Sequence, residues 1–311
     1  PIQGSASEIM RLAMIRINKK FEEIKKLKCK ILLQIHDELI FEVIKEEVNN
    51  RLKKGLCKPH LAAILVGDNP ASSAYVKGKV KDCNEVGFES TLIHLNGSIS
   101  ENELLDHINQ LNNNDKIHGF IVQLPLPIGI DEKKVVLSIN PSKDVDGFHP
   151  ENMGRMALGL DTYLPATPYG IKLLLEFYDI ETSGKNIIVI GRSHIVGLPM
   201  SILFGQNSKG GNATVTLTHS KTRDLEQVVK KGDIVISAIG KASFVNSDFI
   251  KKGAVVVDVG INKVNGKLKG DIDFDSINEI ASAITPVPGG VGLMTRVGLL
   301  MNTLKAANEK N

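Results

Sequence analysis

Tyr75 and Lys79 stand four residues apart in the run Tyr75-Val-Lys-Gly-Lys79, a spacing that puts both side chains on one face of a helix. An aromatic ring beside an amine that can lose its proton suits a flat, nitrogen-rich substrate. Far downstream, Gly191-Arg-Ser-His-Ile-Val-Gly197 follows an apolar run and precedes a helical pattern, the place where a doubly wound fold binds phosphates. Glycine there lets the backbone approach the ligand, and the helix N-terminus favours negative charge. The two features together point to an enzyme. Each also has a plainer reading. Lys79 could be a solvated helical lysine, and the glycines could serve an ordinary strand-to-helix turn. Their spacing departs from GxGxxG and lacks the GK[ST] ending of a P-loop.

Two further polar signals strengthen the first site. Gln123 closes an apolar run beside Leu124-Pro-Leu-Pro127, where an amide needs a partner. Lys143-Asp-Val-Asp-Gly147 presents Asp146 in a tight turn, although Asp-Gly is also common turn chemistry. Lys79, Gln123 and Asp146 thus fall at the carboxyl ends of successive elements, where open α/β sheets place ligands. At the second site the strand after the glycine turn ends in Thr218-His-Ser-Lys221, without a carboxylate. NAD-binding folds place an acidic residue ~20 residues on to hold the ribose hydroxyl. Arg192, Ser220 and Lys221 instead suit a 2′-phosphate, so NADP is favoured over NAD, with a solvated loop as the alternative.

The elements that must position these residues alternate. Leu61–Val66 reads as a buried strand, Ser72–Val86 as a helix stopped by Gly87, and Phe88–Leu95 as a strand. Ser100-Glu-Asn-Glu103 has the form of a capping box, and Ile117–Gln123 is a third strand. A second unit opens at Ala166-Thr-Pro168, with Thr167 as N-cap and Pro168 at N1. Its strands read as Asn186–Ile190, Ala213–Thr218, Asp233–Ala238 and Ala254–Val259, and a helix over Met294–Ala307 closes the chain. The order βαβα argues for an α/β fold with parallel sheets and covering helices.

Bulk properties agree. The 311 residues leave room for two domains, and 42% hydrophobic with 23% charged residues is typical of α/β proteins. Net charge is +3, with residues 1–60 holding 13 Lys/Arg against 8 Asp/Glu. This gives the main body no electrostatic case for nucleic-acid binding. Cys29, Cys57 and Cys83 lack metal-site spacing and cannot all pair, as in a reducing cytoplasm. No apolar run nears the ~18 residues that would cross a bilayer, and no signal-peptide pattern opens the chain. Neither a membrane nor a metal is expected.

From about residue 45 to 311 the chain resembles bifunctional methylenetetrahydrofolate dehydrogenase/methenyltetrahydrofolate cyclohydrolase. The resemblance is carried by Leu65-Val-Gly-Asp-Asn-Pro-Ala-Ser72, Tyr75–Lys79, Gln123–Pro127, Lys143-Asp-Val-Asp-Gly-Phe148 and Pro165-Ala-Thr-Pro168. It continues through Gly191–Pro199, His219-Ser-Lys-Thr222, Asp258-Val-Gly-Ile-Asn262 and Pro286-Val-Pro-Gly-Gly-Val-Gly292. It implies a folate-binding catalytic domain over 44–165 with 286–311, and a Rossmann-like NADP-binding domain over 166–285. It further implies a C-terminal helix returning to the first domain, and a cytoplasmic homodimer. Lys79 matches the general acid/base lysine, Tyr75 the residue that stacks on folate, Gln123 the lysine's partner and Asp146 the pterin-binding carboxylate. Pro288, Gly289 and Gly290 match the folate pocket, and Gly191, Arg192, Ser193, Ser220 and Ile261 the cofactor contacts. The implied chemistry is oxidation of 5,10-methylenetetrahydrofolate by NADP and hydrolysis of the product to 10-formyltetrahydrofolate. That chemistry belongs to one-carbon metabolism, which supplies purine and amino-acid biosynthesis.

Two departures stand out. Leu293 replaces the family's usual proline at the pocket border. The start is also foreign: Pro1-Ile-Gln-Gly-Ser-Ala-Ser7 and Gln34-Ile-His-Asp-Glu-Leu39 resemble the palm end and metal-binding turn of family A DNA polymerases, over about residues 1–43. His36-Asp37-Glu38 would bring one metal-binding carboxylate, whereas two-metal phosphoryl transfer needs a second aspartate, a nucleotide helix and a template groove. No polymerase activity is expected. Lys30–Ile35 has strand character and could stand in for the family's first strand. The competing readings are an NADP oxidoreductase for another small substrate, a hybrid whose impaired first domain leaves only NADP binding, and, more remotely, a nucleic-acid module on residues 1–60.

Overall fold

The computed structural model describes residues 36–310, with side chains described from Ile40 onward. The strand expected at Lys30–Ile35 and Cys29 lie outside the described residues. The first domain runs α1 (His36–Lys53), β1 (His60–Val66), α2 (Pro70–Val86), β2 (Glu89–Leu95), α3 (Glu101–Asn112), β3 (Gly119–Val122), α4 (Glu132–Ser138) and α5 (Pro150–Ala157). Next come α6 (Ala166–Phe177), β4 (Asn186–Ile190), α7 (Gly197–Gly205), β5 (Thr214–Thr218), α8 (Leu225–Val229), β6 (Ile234–Ser237) and β7 (Val255–Asp258). A short hairpin of β8 (Asn262–Val264) and β9 (Lys267–Lys269) follows, then α9 (Phe274–Ile277), β10 (Ala283–Ile284) and the closing α10 (Val291–Glu309).

Period-two alternation along each apolar run sorts its side chains to two faces, and both faces are covered. In β1, Leu61, Ala63 and Leu65 enter one core while Ala62, Ile64 and Val66 enter another. In β4, Ile187 and Val189 face one way and Ile188 and Ile190 the other. Both sheets are parallel, with order β2-β1-β3 in the first domain and β10-β7-β6-β4-β5 in the second. The second order turns back at β4, which leaves a crevice beyond its carboxyl end between the connections to β5 and β6. The α/β fold with a Rossmann-like second domain is the one expected.

Local chemistry fixes the helix ends. Asn69 accepts the backbone N–H groups of Ala71 and Ser72 at the start of α2, and Gly87 ends it in the left-handed region at φ 82°. Ser100 and Glu103 form the expected capping box. Thr167 does not cap α6 as expected. Pro165 holds that position without a side-chain bond, and the Thr167 hydroxyl instead meets Thr295 Oγ1 at 3.0 Å.

α6 and α10 join the two domains. Leu173 and Leu174 of α6 pack into the first core, Ile171 and Leu175 into the second. α10 returns to the first domain through Leu299, Leu300, Leu304 and Ala306. The two helices touch backbone to backbone, because a Cβ on Gly170 would collide with Met294 O and one on Gly298 with Ala166 O. The expected boundary at 43/44 falls inside the continuous helix α1. Ile40, Phe41, Ile44 and Val48 are all buried in the first core, so the catalytic unit begins before that boundary. His36, Asp37 and Glu38 belong to this helix and not to a metal-binding turn.

Candidate active site

Lys79 is half-buried on α2, and its Nζ donates to Gln123 Oε1 at 3.2 Å. Gln123 lies just past β3, where its backbone N–H still pairs with Ile64 O. Its own Nε2 donates to Leu124 O at 2.8 Å, which commits the amide oxygen to the lysine. Burial lowers the Lys79 pKa against the opposing pull of Asp146. The amine is therefore held by a neutral acceptor and is easier to deprotonate than a surface lysine. Cys83, one turn further along α2, is pushed up to about 12 by burial and is an inert core thiol.

Asp146 sits in a loop tied down from three directions. Ala166 N–H donates to its carbonyl, and Asn302 of α10 donates to Val145 O and Leu164 O on either side of it. Asp144 takes the structural work of the turn, accepting from the backbone of Gly147 and His149 and from Asn152 Nδ2. Lys143 is buried and spends its amine on Leu111 O and Asn114 O. Among the described residues the Asp146 carboxylate has no hydrogen-bond donor. Burial raises its pKa, while Lys79 pulls it down.

A cleft of about 330 Å³ opens between the domains. One wall is α2, with Tyr75 exposed at 39% so that its ring is free to stack. Opposite stand Pro288, Gly289, Gly290 and Leu293 at the start of α10, and Ile261 and Leu268 complete it from the second domain. Lys79 and Gln123 lie just beyond this lining, one turn along α2 from Tyr75. Asp146 lines a separate small cavity beside Phe120 and Phe148. The structure thus brings Tyr75, Ile261, Pro288, Gly289 and Gly290 to one cleft, with the Lys79–Gln123 pair adjacent.

The second set of expected residues meets at the carboxyl end of β4. Gly191 has φ 108°, and a Cβ there would collide with Ala238 O; one on Gly197 would collide with Gly191 O. Ser193 Oγ accepts the N–H groups of Val196 and Gly197 and so caps the turn into α7. Arg192 is exposed, and Ser220 is exposed at the end of β5 across the crevice. The glycine cradle, the helix N-terminus and a guanidinium that pairs with no carboxylate among the described residues fit a dinucleotide carrying an extra phosphate.

The structural roles of three residues escaped the sequence reading. Asp258, at the end of β7, accepts from the backbone of Gly260, Asp271 and Ile272. Asp271 accepts from Ile239, Gly240 and Lys241 and from Asn262 Nδ2. Together they fold the loops that carry Ile261 to the cleft. The available signal was a lone acid closing the apolar run Val255-Val-Val-Asp258. Asn302 is the third such case, a lone amide in an apolar helix.

Fold and site define a two-domain α/β enzyme, with a nucleotide-binding domain facing a catalytic domain across a largely apolar cleft. Residues 34–146 match the tetrahydrofolate dehydrogenase/cyclohydrolase catalytic domain, and residues 165–311 match the NAD(P)-binding domain of the same family. The bifunctional protein FolD of Flavobacterium johnsoniae is 54% identical over 275 residues, covering 86% of this chain and 93% of its own. The crystal structure of the bifunctional FolD enzyme from Campylobacter jejuni superposes with a TM-score of 0.85 at 47% identity, covering 88% of this chain and 96% of that one. The Trypanosoma brucei enzyme, solved with NADP and an inhibitor, gives 0.84 at 35% identity, covering 90% and 97%. The chain belongs to the tetrahydrofolate dehydrogenase/cyclohydrolase family. Residues 1–58 also match family A DNA polymerases, overlapping the catalytic-domain match over 34–58.

Proposed function

We propose that the protein oxidises 5,10-methylenetetrahydrofolate to 5,10-methenyltetrahydrofolate with NADP and then hydrolyses the product to 10-formyltetrahydrofolate. The carrying observation is one cleft bounded by Tyr75, Pro288, Gly289 and Gly290 on the folate side and Ile261 on the cofactor side, beside the Lys79–Gln123 pair. NADP supplies the hydride acceptor when bound. Gly191, Arg192, Ser193 and Ser220 would hold it, and the lack of a carboxylate in Thr218-His-Ser-Lys221 favours the 2′-phosphate form.

In this reading Tyr75 stacks on the folate ring and Asp146 accepts N–H groups of the pterin. Lys79, easily made neutral by burial, takes a proton from the water that attacks the methenyl carbon. Gln123 orients the amine without adding charge, which keeps it easy to deprotonate. Residues 44–165 with 286–311, joined by the part of α1 before residue 44 that packs into the same core, form the folate-binding unit and 166–285 the NADP-binding unit. The polymerase-like residues 1–43 carry no catalytic group for either step. A cytoplasmic homodimer completes the proposal, the dimer carried over from the family and the reducing compartment supported by the free thiols Cys57 and Cys83.

The direct test incubates purified protein with 5,10-methylenetetrahydrofolate and NADP and follows the methenyl chromophore as it forms and then decays. Formation and decay both faster than the uncatalysed rates are expected. NADP binding without turnover would overturn the proposal in favour of a hybrid that retains only the cofactor site.

A further inference from the structure

The Asp82–Arg296 ion pair plays no part in the reaction just described, yet it lies on the face that carries the site. Asp82 follows Lys79 by three residues and Tyr75 by seven, so all three share one side of α2. Its buried carboxylate is gripped by Arg296 of α10, Nε to Oδ2 and Nη1 to Oδ1, both at 3.1 Å. The guanidinium reaches Asp82 by crossing Gly78, where a Cβ would stand 3.0 Å from Nη1. Gly78 and Arg296 both line the cleft beside Tyr75. The helix that supplies Arg296 begins at the Pro288–Gly290 wall. The pair therefore spans the two walls between which a flat ligand must fit.

We propose that Asp82 and Arg296 form a strut, seated on Gly78, that sets the separation of Tyr75 from the Pro288–Gly290 turn and so positions the folate ring. The proposal rests on the folate reading above. Both are positioning residues, acting through the walls they hold. A buried ion pair adds little net stability over well-packed apolar side chains of similar size, whereas its directional Nη1–Oδ1 hydrogen bond, backed by the Nε–Oδ2 charge contact, fixes spacing. Small misplacements of bound substrate can cost as much as ~100-fold in rate, so the spacing of the two walls matters.

The test compares wild type with the double variant Asp82→Leu/Arg296→Met and with Gly78→Ala. The double variant removes both charges and keeps apolar bulk, so no buried charge is stranded and its melting temperature stays near wild type. Its KM for 5,10-methylenetetrahydrofolate should rise ~10-fold, a loss of about 1.4 kcal/mol in folate affinity, while its KM for NADP stays within about twofold. Gly78→Ala displaces the guanidinium without removing it and should raise the folate KM in the same direction by a smaller factor. A folded double variant with wild-type folate KM overturns the proposal. Should the double variant not fold, an unchanged folate KM in Gly78→Ala overturns it instead. Wild-type protein that does not turn over the folate substrate would sink the underlying reading, an outcome distinct from active wild type with unaffected variants.

Discussion

Replacing Lys79 by methionine removes the amine while keeping most of the side-chain volume. The bond lost is the one from Nζ to Gln123 Oε1 at 3.2 Å. A hydrogen bond of this kind contributes about 1 kcal/mol net. The variant also loses an amine whose charged form burial penalises, so the two effects offset. Folding should change by no more than about 1 kcal/mol, roughly 2–4 °C in melting temperature. Catalysis should suffer far more. A positioned acid/base group contributes about 10²–10⁴-fold, equal to about 2.7–5.5 kcal/mol of transition-state stabilisation. Methenyl hydrolysis, followed by loss of its absorbance, should therefore fall by two or more orders of magnitude. NADP binding, read by fluorescence titration, should be unchanged, because Gly191, Arg192, Ser193 and Ser220 are on the other domain. A folded Lys79→Met protein with hydrolysis within threefold of wild type would refute the reasoning and return Lys79 to the status of a structural lysine.

Arg192→Ala should weaken NADP by roughly ten- to hundredfold, from a lost charge-assisted contact of about 1.5–3 kcal/mol, with a smaller effect on NAD; equal losses would place Arg192 on the pyrophosphate or the turn. Asp146 raises the Lys79 pKa, so Asp146→Asn should move the rising limb of the kcat–pH profile for hydrolysis to lower pH; a limb that stays in place would sever that coupling. Burial pushes Asp258 up to about 6, above its unfolded value, so the folded state binds the extra proton and loses stability as pH rises through about 4–6. That loss approaches about 3 kcal/mol, and Asp258→Asn should flatten this window in pH-dependent melts. Deleting residues 1–28 should leave activity and melting temperature nearly unchanged. Deleting 1–43 strips Ile40 and Phe41 from the core at about 1.5–3 kcal/mol each, and equal melting temperatures for the two deletions would refute the assignment of α1.

What could be read in the sequence was whatever depends on local spacing. Short continuous apolar runs such as Asn186–Ile190 gave strands that the structure places within a residue or two, because a run apolar on both faces has no stable home except a covered parallel sheet. Glycine and capping residues gave helix ends at Gly87 and Ser100, since backbone sterics and a side chain three residues away decide those. Tyr75 and Lys79 could be paired by helical spacing alone. The Lys79–Gln123 bond could not, because 44 residues separate its ends and only the parallel pairing of β1 with β3 brings them together. The same holds for the cleft, which exists because α10 returns to the first domain and sets Pro288–Gly290 opposite Tyr75. Thr167 looked like a cap and became a contact to Thr295, since the close approach of α6 and α10 outweighs a local preference. The partners of Asp258, Asp271 and Asn302 were illegible for the same reason: each satisfies backbone groups that include ones distant in sequence, and which groups need satisfying is settled only when the chain has folded.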